Sequence, residues 1–399
     1  MKKNYLLWAL AVVSLAGCSQ NEITEVSPDA HPAVGFSVYT GTQARGAETD
    51  NNAIQGSGKG FGILAYYTGQ SDMGTSSTPN FMWNQQVTYD TSNKVWKYTP
   101  LKYWPNTTGD KVSFYAYAPY LSDQTGTPKI ALSANNATGY PTIKFTIADE
   151  AKDMVDLVTD SVINQTKTTS NVSFTLKHKL TKAIFKARLG SDYFKSDGDA
   201  DKTKIYITGV SLVADGSTNT GLFLYATYKF AKEDGQWDTS TTSSSGGAGS
   251  APAALMTSNY SLASILSTSS SSSVTVGSTT KDAIEISSST TAVDLFKTSP
   301  TAEALYLIPV NYLTGIDSNK KVQVKLEYCI KTEDSNLNGG SSVVPCEVTV
   351  DLPDGTLKQS TAYTYTFVLG LTEVKVEASI VQDGWVNGTG GDVAVPKTN

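Results

Sequence analysis

Short runs of alternating apolar and polar residues recur along this chain from residue 34 to residue 381, separated by clusters of Gly, Asn, Asp, Ser and Thr. A period of two sends successive side chains to opposite faces, so each run fits a strand with a dry side and a wet side. The first has Val34, Phe36 and Val38 alternating with Gly35, Ser37 and Tyr39. GFGILAYY at 60–67, two strands around the turn DTSN within 80–98, VSFYAYAP after the turn at Pro105–Asn106, and PTIKFTI at 141–147 follow. ADEAKDMVDLV fits a helical turn or a loop beside a short strand. VSFTLKHKLTKAIFKARLG reads as two strands hinged near Lys179–Thr181, and IYITGVSLVA and GLFLYATYKF come next. TSTTSSSGGAGS at 239–250 and STSSSSS at 267–273 are low-complexity loops. ALYLIPV at 304–310 is a fully apolar strand; KVQVKLEYCIKT and VVPCEVTVDLP form a hairpin; AYTYTFVLGL and VKVEASIV close the series. Leu-Glu-Lys helical runs are scarce, while Ser, Thr, Gly and Tyr are plentiful, as in all-β extracellular proteins. Strands and turns at this spacing predict β-sandwiches. The polar stretch NQTKTTSN at 164–171 predicts a linker between one sandwich at 33–168 and another at 169–399.

The start of the chain is of a different kind. Lys2 and Lys3 precede the apolar run LLWALAVVSLAG, which is too short to span a bilayer and has the layout of an export signal over residues 1–17. The run ends in Leu15-Ala16-Gly17-Cys18, the shape of a bacterial lipobox. Small residues admit the cleaving peptidase, and the Cys18 thiol can carry a lipid that holds the protein on the outer membrane. A polar leash, 18–32, separates Cys18 from the first strand. After that strand comes GTQARGAETDNNAIQGSGKG, a loop by composition. It carries Arg45, one of only two arginines among 31 basic residues. Arg188 lies within a strand pattern, which leaves the Arg45–Gly46 bond as the accessible arginine site on a loop of small residues.

Little in the chain suggests catalysis. GSGKGFG at 56–62 imitates a phosphate loop, but a strand follows it where a helix N-terminus is required. Of two histidines, His31 lies in the leash; His178 shares even parity with Phe174, Leu176 and Leu180, so it falls on an apolar face as a satisfied core or interdomain residue. No Cys or His cluster has metal spacing. Asp149, Glu150, Asp153 and Asp156 read as a solvated acidic face without the ligand alternation of a calcium loop. No nucleophile–base–acid set can be assembled, no cofactor is implied, and a net charge of −6 offers no basic patch for nucleic acid. Cys329 and Cys346 fall on neighbouring strands of a hairpin in an oxidising compartment, which predicts a disulfide. At the far end, Val393 and Val395 alternate with Asp392 and Ala394 after a flexible GTGG, the pattern of a strand that could be donated to another chain.

The order of several of these segments resembles the fimbrillin family of Bacteroidetes surface lipoproteins, subunits of type V pili. The matching pieces are LAGC, VGFSV with Arg45 after it, WKYTPLKYWP followed by VSFYAYAP, VSFTLKHKLTKAIFKARL, LYLIPV, YTYTF, and SIVQDGW ending in Trp385. The resemblance implies two tandem transthyretin-like Greek-key sandwiches, lipidation of Cys18, cleavage after Arg45 and polymerisation by strand exchange. It also implies other fimbrial subunits as partners and a host protein or glycan as receptor. A monomeric lipid-anchored adhesin or glycan-binding module is the alternative.

Overall fold

The computed structural model describes residues 31–40, 49–56, 58–123, 129–191, 202–214, 222–231, 235–241, 251–263, 266, 272–298, 301–302, 304–310, 322–353, 357–370 and 373–381. Strand is by far the commonest regular structure among these residues, and helix is confined to short pieces such as α1 (Asn51–Gly56) and a 3-10 turn at Ala151–Asp153. The loop expected between residues 41 and 60 therefore contains a helix. Asp50 starts it, its Oδ1 accepting the Ala53 N–H at 2.7 Å, as a good N-cap does.

The N-terminal strands are β1 (Phe36–Tyr39), β2 (Phe61–Gly69), β3 (Met82–Asp90), β4 (Val95–Lys97), β5 (Lys111–Ala118), β6 (Ile130–Leu132), β7 (Thr142–Thr146) and β8 (Val158–Gln165). After residue 168 come β9 (Val172–Thr175), β10 (Lys177–His178), β11 (Thr181–Leu189), β12 (Thr203–Leu212), β13 (Phe223–Lys229) and β14 (Gln236–Asp238). A six-stranded antiparallel sheet runs β10-β8-β5-β2-β3-β4. Its centre, β2 and β5, is buried on both faces, which explains why these two strands are near-continuous apolar runs. Phe61, Ile63, Ala65, Val112, Phe114 and Ala116 enter one core, shared with Val34, Phe36 and Trp104. Leu64, Tyr66, Tyr115 and Tyr117 enter the other, shared with Ile143, Phe145, Tyr228 and Phe230.

That second core is closed by a sheet ordered β14-β13-β7-β6. The expected division at 168/169 does not hold for the sheets. β7 pairs with β13 along Thr142–Thr146, and β10 pairs with β8, so strands on either side of NQTKTTSN share sheets. Of that stretch, Asn164 and Gln165 end β8, and the chain between β8 and β9, which starts at Val172, is short. Besides a two-stranded sheet of Lys297–Thr298 and Thr301–Ala302, the remaining described residues form two larger sheets. One holds β11 parallel to Ala362–Leu369, which pairs in turn with Val374–Val381. The other orders Ser272–Val276, Thr279–Ile286, β12, Gln323–Glu333 and Ser341–Asp351. The first of those strands lies at the end of a segment expected to be a low-complexity loop. Val274 is buried there beside Ala283, and the hairpin turns at Gly277, whose φ is +60°.

The Gln323–Glu333 and Ser341–Asp351 hairpin forms as expected, but the disulfide does not. Both cysteines are free. Cys346 stands opposite Tyr328 and Cys329 opposite Pro345. Residues directly opposite share a face and neighbours alternate, so a one-residue offset sends the two thiols to opposite faces of the sheet.

Candidate functional site: the first strand and its slot

The first strand is short yet deeply placed. Its alternation puts Val34 and Phe36 in the core, 1% and 3% exposed. Phe36 lies inside a group of rings, with centroids 5.3 Å from Tyr98, 5.7 Å from Phe114, 6.1 Å from Phe174 and 6.5 Å from Phe61. Burying each of the two side chains contributes on the order of 1.5–3 kcal/mol, and aromatic pairs add about 0.5–1.5 kcal/mol each.

The backbone of this segment is held on both sides. β1 runs parallel to β9, Phe36 facing Val172 and Val38 facing Phe174. Gly35 O accepts the Val172 N–H and Tyr39 O the Leu176 N–H, each at 2.8 Å. On the other side Val34 N–H donates to Lys102 O at 2.8 Å and Trp104 N–H donates to Pro32 O at 3.0 Å. The Tyr98 hydroxyl donates to Val34 O at 2.8 Å. Residues 32–39 thus fill a slot walled by β9 and the 98–104 segment and floored by β2 and β5. Taking them away would leave those N–H and C=O groups open and the floor exposed, which is a surface that another strand can cover.

The chain leaving this slot is tied down at once. Thr40 N–H and Oγ1–H both donate to Asn51 Oδ1, at 2.9 and 3.1 Å. Thr49 N–H donates to Asp156 Oδ2 at 3.0 Å, and its hydroxyl donates to Asp156 O at 2.8 Å. Asp156 is 0% exposed and its Oδ2 lies 2.9 Å from Nδ1 of His178, which is 4% exposed. His178 is therefore a buried, partnered histidine on the apolar face. Asp156 corrects the expectation of a wholly solvated acidic stretch. Met154, Asp156 and Val158 share parity and are all buried, the signal that would have revealed it. The His178 carbonyl accepts from Ser360 Oγ, so this pair joins the residue-49 segment, β10 and the chain just before Ala362. Among the described residues no group of three or more His, Cys, Asp or Glu could hold a metal ion.

Cys18, Arg45, Gly46, Trp385, Val393 and Val395 lie outside the described residues. The other arginine, Arg188, lies within β11, which pairs on both sides, and its guanidinium meets Glu377 at 2.6 Å.

The chain matches known proteins over most of its length. Residues 45–382 match the model of the fimbrillin-like family. The whole chain is similar to the fimbrium subunit Fim1C of Phocaeicola vulgatus, 34% identical over 414 aligned residues that take in 100% of both chains. The fold is similar to the crystal structure of a fimbrial protein from Bacteroides vulgatus, with a TM-score of 0.67 and 30% identity, covering 89% of this chain and 99% of that one. An all-β chain with its first strand set in a slot, matched along this length, belongs to the fimbrillin-like family.

Proposed function

We propose that this protein is a structural subunit of a cell-surface fimbria serving adhesion. It is exported under the signal at 1–17, lipidated on Cys18 and so held at the outer membrane. It is then cut between Arg45 and Gly46 and polymerised with other fimbrial subunits by strand exchange. The observation that carries the reading is the position of β1. It lies upstream of Arg45, yet Val34 and Phe36 belong to the core. A cut there separates the strand from everything downstream, while Thr49 stays bonded to Asp156. The slot then becomes available to a strand from a neighbour, and the tail with Val393 and Val395 is the segment this subunit gives away. A host protein or glycan is the adhesive target. Neither a cofactor nor a catalytic residue has a part in this.

The test is N-terminal sequencing of protein recovered from cell surfaces, beside two variants. Wild type should begin at Gly46 and run as an SDS-resistant ladder. Arg45→Ala should stay uncut and monomeric, and deletion of 390–399 should be cut but fail to extend. Fibres of normal length from both variants would refute strand exchange and favour a lipid-tethered adhesin.

A further inference from the structure

The slot under β1 has a shape, and that shape discriminates between strands. Phe36 enters it between Tyr98, Phe114, Phe174 and Phe61, with all four ring centroids within 6.5 Å. A smaller side chain at that point leaves a void among large rigid groups, which relax only partly around it. The row facing β9 has its own requirement. Gly35 O and Tyr39 O accept from β9 amides, so the odd-numbered residues of this segment form the ladder with β9. A proline on that row cannot donate. An alanine in place of Gly35 would set its Cβ 2.2 Å from Asn171 Oδ1, so Asn171 would have to turn aside.

The chain's own tail meets none of these three conditions. It reads Asp392-Val393-Ala394-Val395-Pro396. If Val393 and Val395 point into the slot in the direction β1 runs, Pro396 falls on the ladder row in every register, because its parity is opposite to theirs. With Val393 in the place of Val34, Val395 takes the aromatic site, Ala394 takes the place of Gly35 and Pro396 that of Ser37. No aromatic residue lies between Val386 and Asn399 to fill the site in another register.

We propose that the slot selects for a strand bearing an aromatic side chain at the Phe36 position, without proline on the β9-facing row, and that this strand comes from a different chain, not from the tail of a second copy. This rests on the strand-exchange reading above. It adds that the subunit is built to follow an unlike neighbour and does not extend by stacking on itself.

Two measurements test it. In the intact chain, the triple variant Gly35→Ala, Phe36→Val, Ser37→Pro converts Val34–Ser37 into the tail's own V-A-V-P. It should melt at least about 5 °C below wild type, with Gly35→Ala alone accounting for a minor part. A triple variant as stable as wild type would overturn the proposal. In the second measurement, full-length protein nicked with an arginine-specific protease is incubated with labelled synthetic peptides. The peptide of residues 33–40 should be retained at least about tenfold longer than that of residues 392–399. A tail peptide carrying Val395→Phe and Pro396→Ser should recover most of the difference. Equal retention of the two natural peptides would also overturn the proposal. If the nick never frees residues 31–45 while the triple variant is destabilised, the cleavage reading fails and the selectivity of the slot stands.

Discussion

At the scale of single residues, the chain depends on a few buried polar groups that position apolar ones. Asp156 is the clearest. Its Oδ2 takes the Thr49 N–H and faces His178 Nδ1, while Oδ1 has no hydrogen-bond partner among the described residues. Replacing it with alanine leaves a backbone N–H and an imidazole nitrogen buried without that acceptor, and each such loss costs about 1–3 kcal/mol. Asp156→Ala should therefore lower the urea midpoint by an amount equivalent to roughly 2–6 kcal/mol, with an unchanged m-value. Asp156→Asn, which retains an acceptor oxygen, should lose less. A midpoint equal to wild type for Asp156→Ala would show that water replaces the carboxylate and that the pair is not a joint.

At the scale of elements, register decides more than composition. The hairpin Gln323–Glu333 and Ser341–Asp351 pairs without a shift over eleven positions. Tyr206, Val274 and Ala283 cluster with Cys329 on one face. On the other face Cys346 shares parity with Val348 and Val350, which pack on the main core. The thiols should accordingly be distinguishable. Unfolded, unreduced protein should take up label at both. In the folded protein Cys346, which is half-buried, should react first. Cys329 should lag because it is 2% exposed and burial pushes its thiol pKa up, so less thiolate is present. Mass spectrometry after timed alkylation would read this, and a protein that takes up no label when unfolded would establish the bridge that this register forbids.

At the scale of the whole molecule, the sheets do not follow the linker. β13 closes the core beneath β7, and β9 and β10 lie against strands from before residue 168. Phe230 packs on Tyr115 with centroids 5.2 Å apart, so the second core of the N-terminal sheet is completed by later chain. A fragment of residues 33–168 should for that reason lack a cooperative unfolding transition, whereas the full chain from residue 33 onward should show one. Cooperative urea unfolding of the fragment, with an m-value appropriate to its length, would contradict this pairing.

Much of this was legible in the sequence, where local alternation speaks directly. The all-β class, most strand positions, the inward face of Val34 and Phe36, and the burial of His178 all follow from a period of two, a property of one strand by itself. The family resemblance likewise came from the order of local segments. What could not be read was which strand lies beside which. The pairing of β7 with β13 joins residues some eighty positions apart, and nothing in either strand names the other. The thiols differ in face because of a one-residue register that apolar patterning on two mixed faces leaves open. The burial of Asp156 needed Thr49 and His178 to arrive from distant parts of the chain. Alternation in the sequence determined which side chains point inward; only the tertiary structure decided what they meet, because hydrogen-bond ladders form between any strands of compatible length, and it is packing across layers that chooses among them.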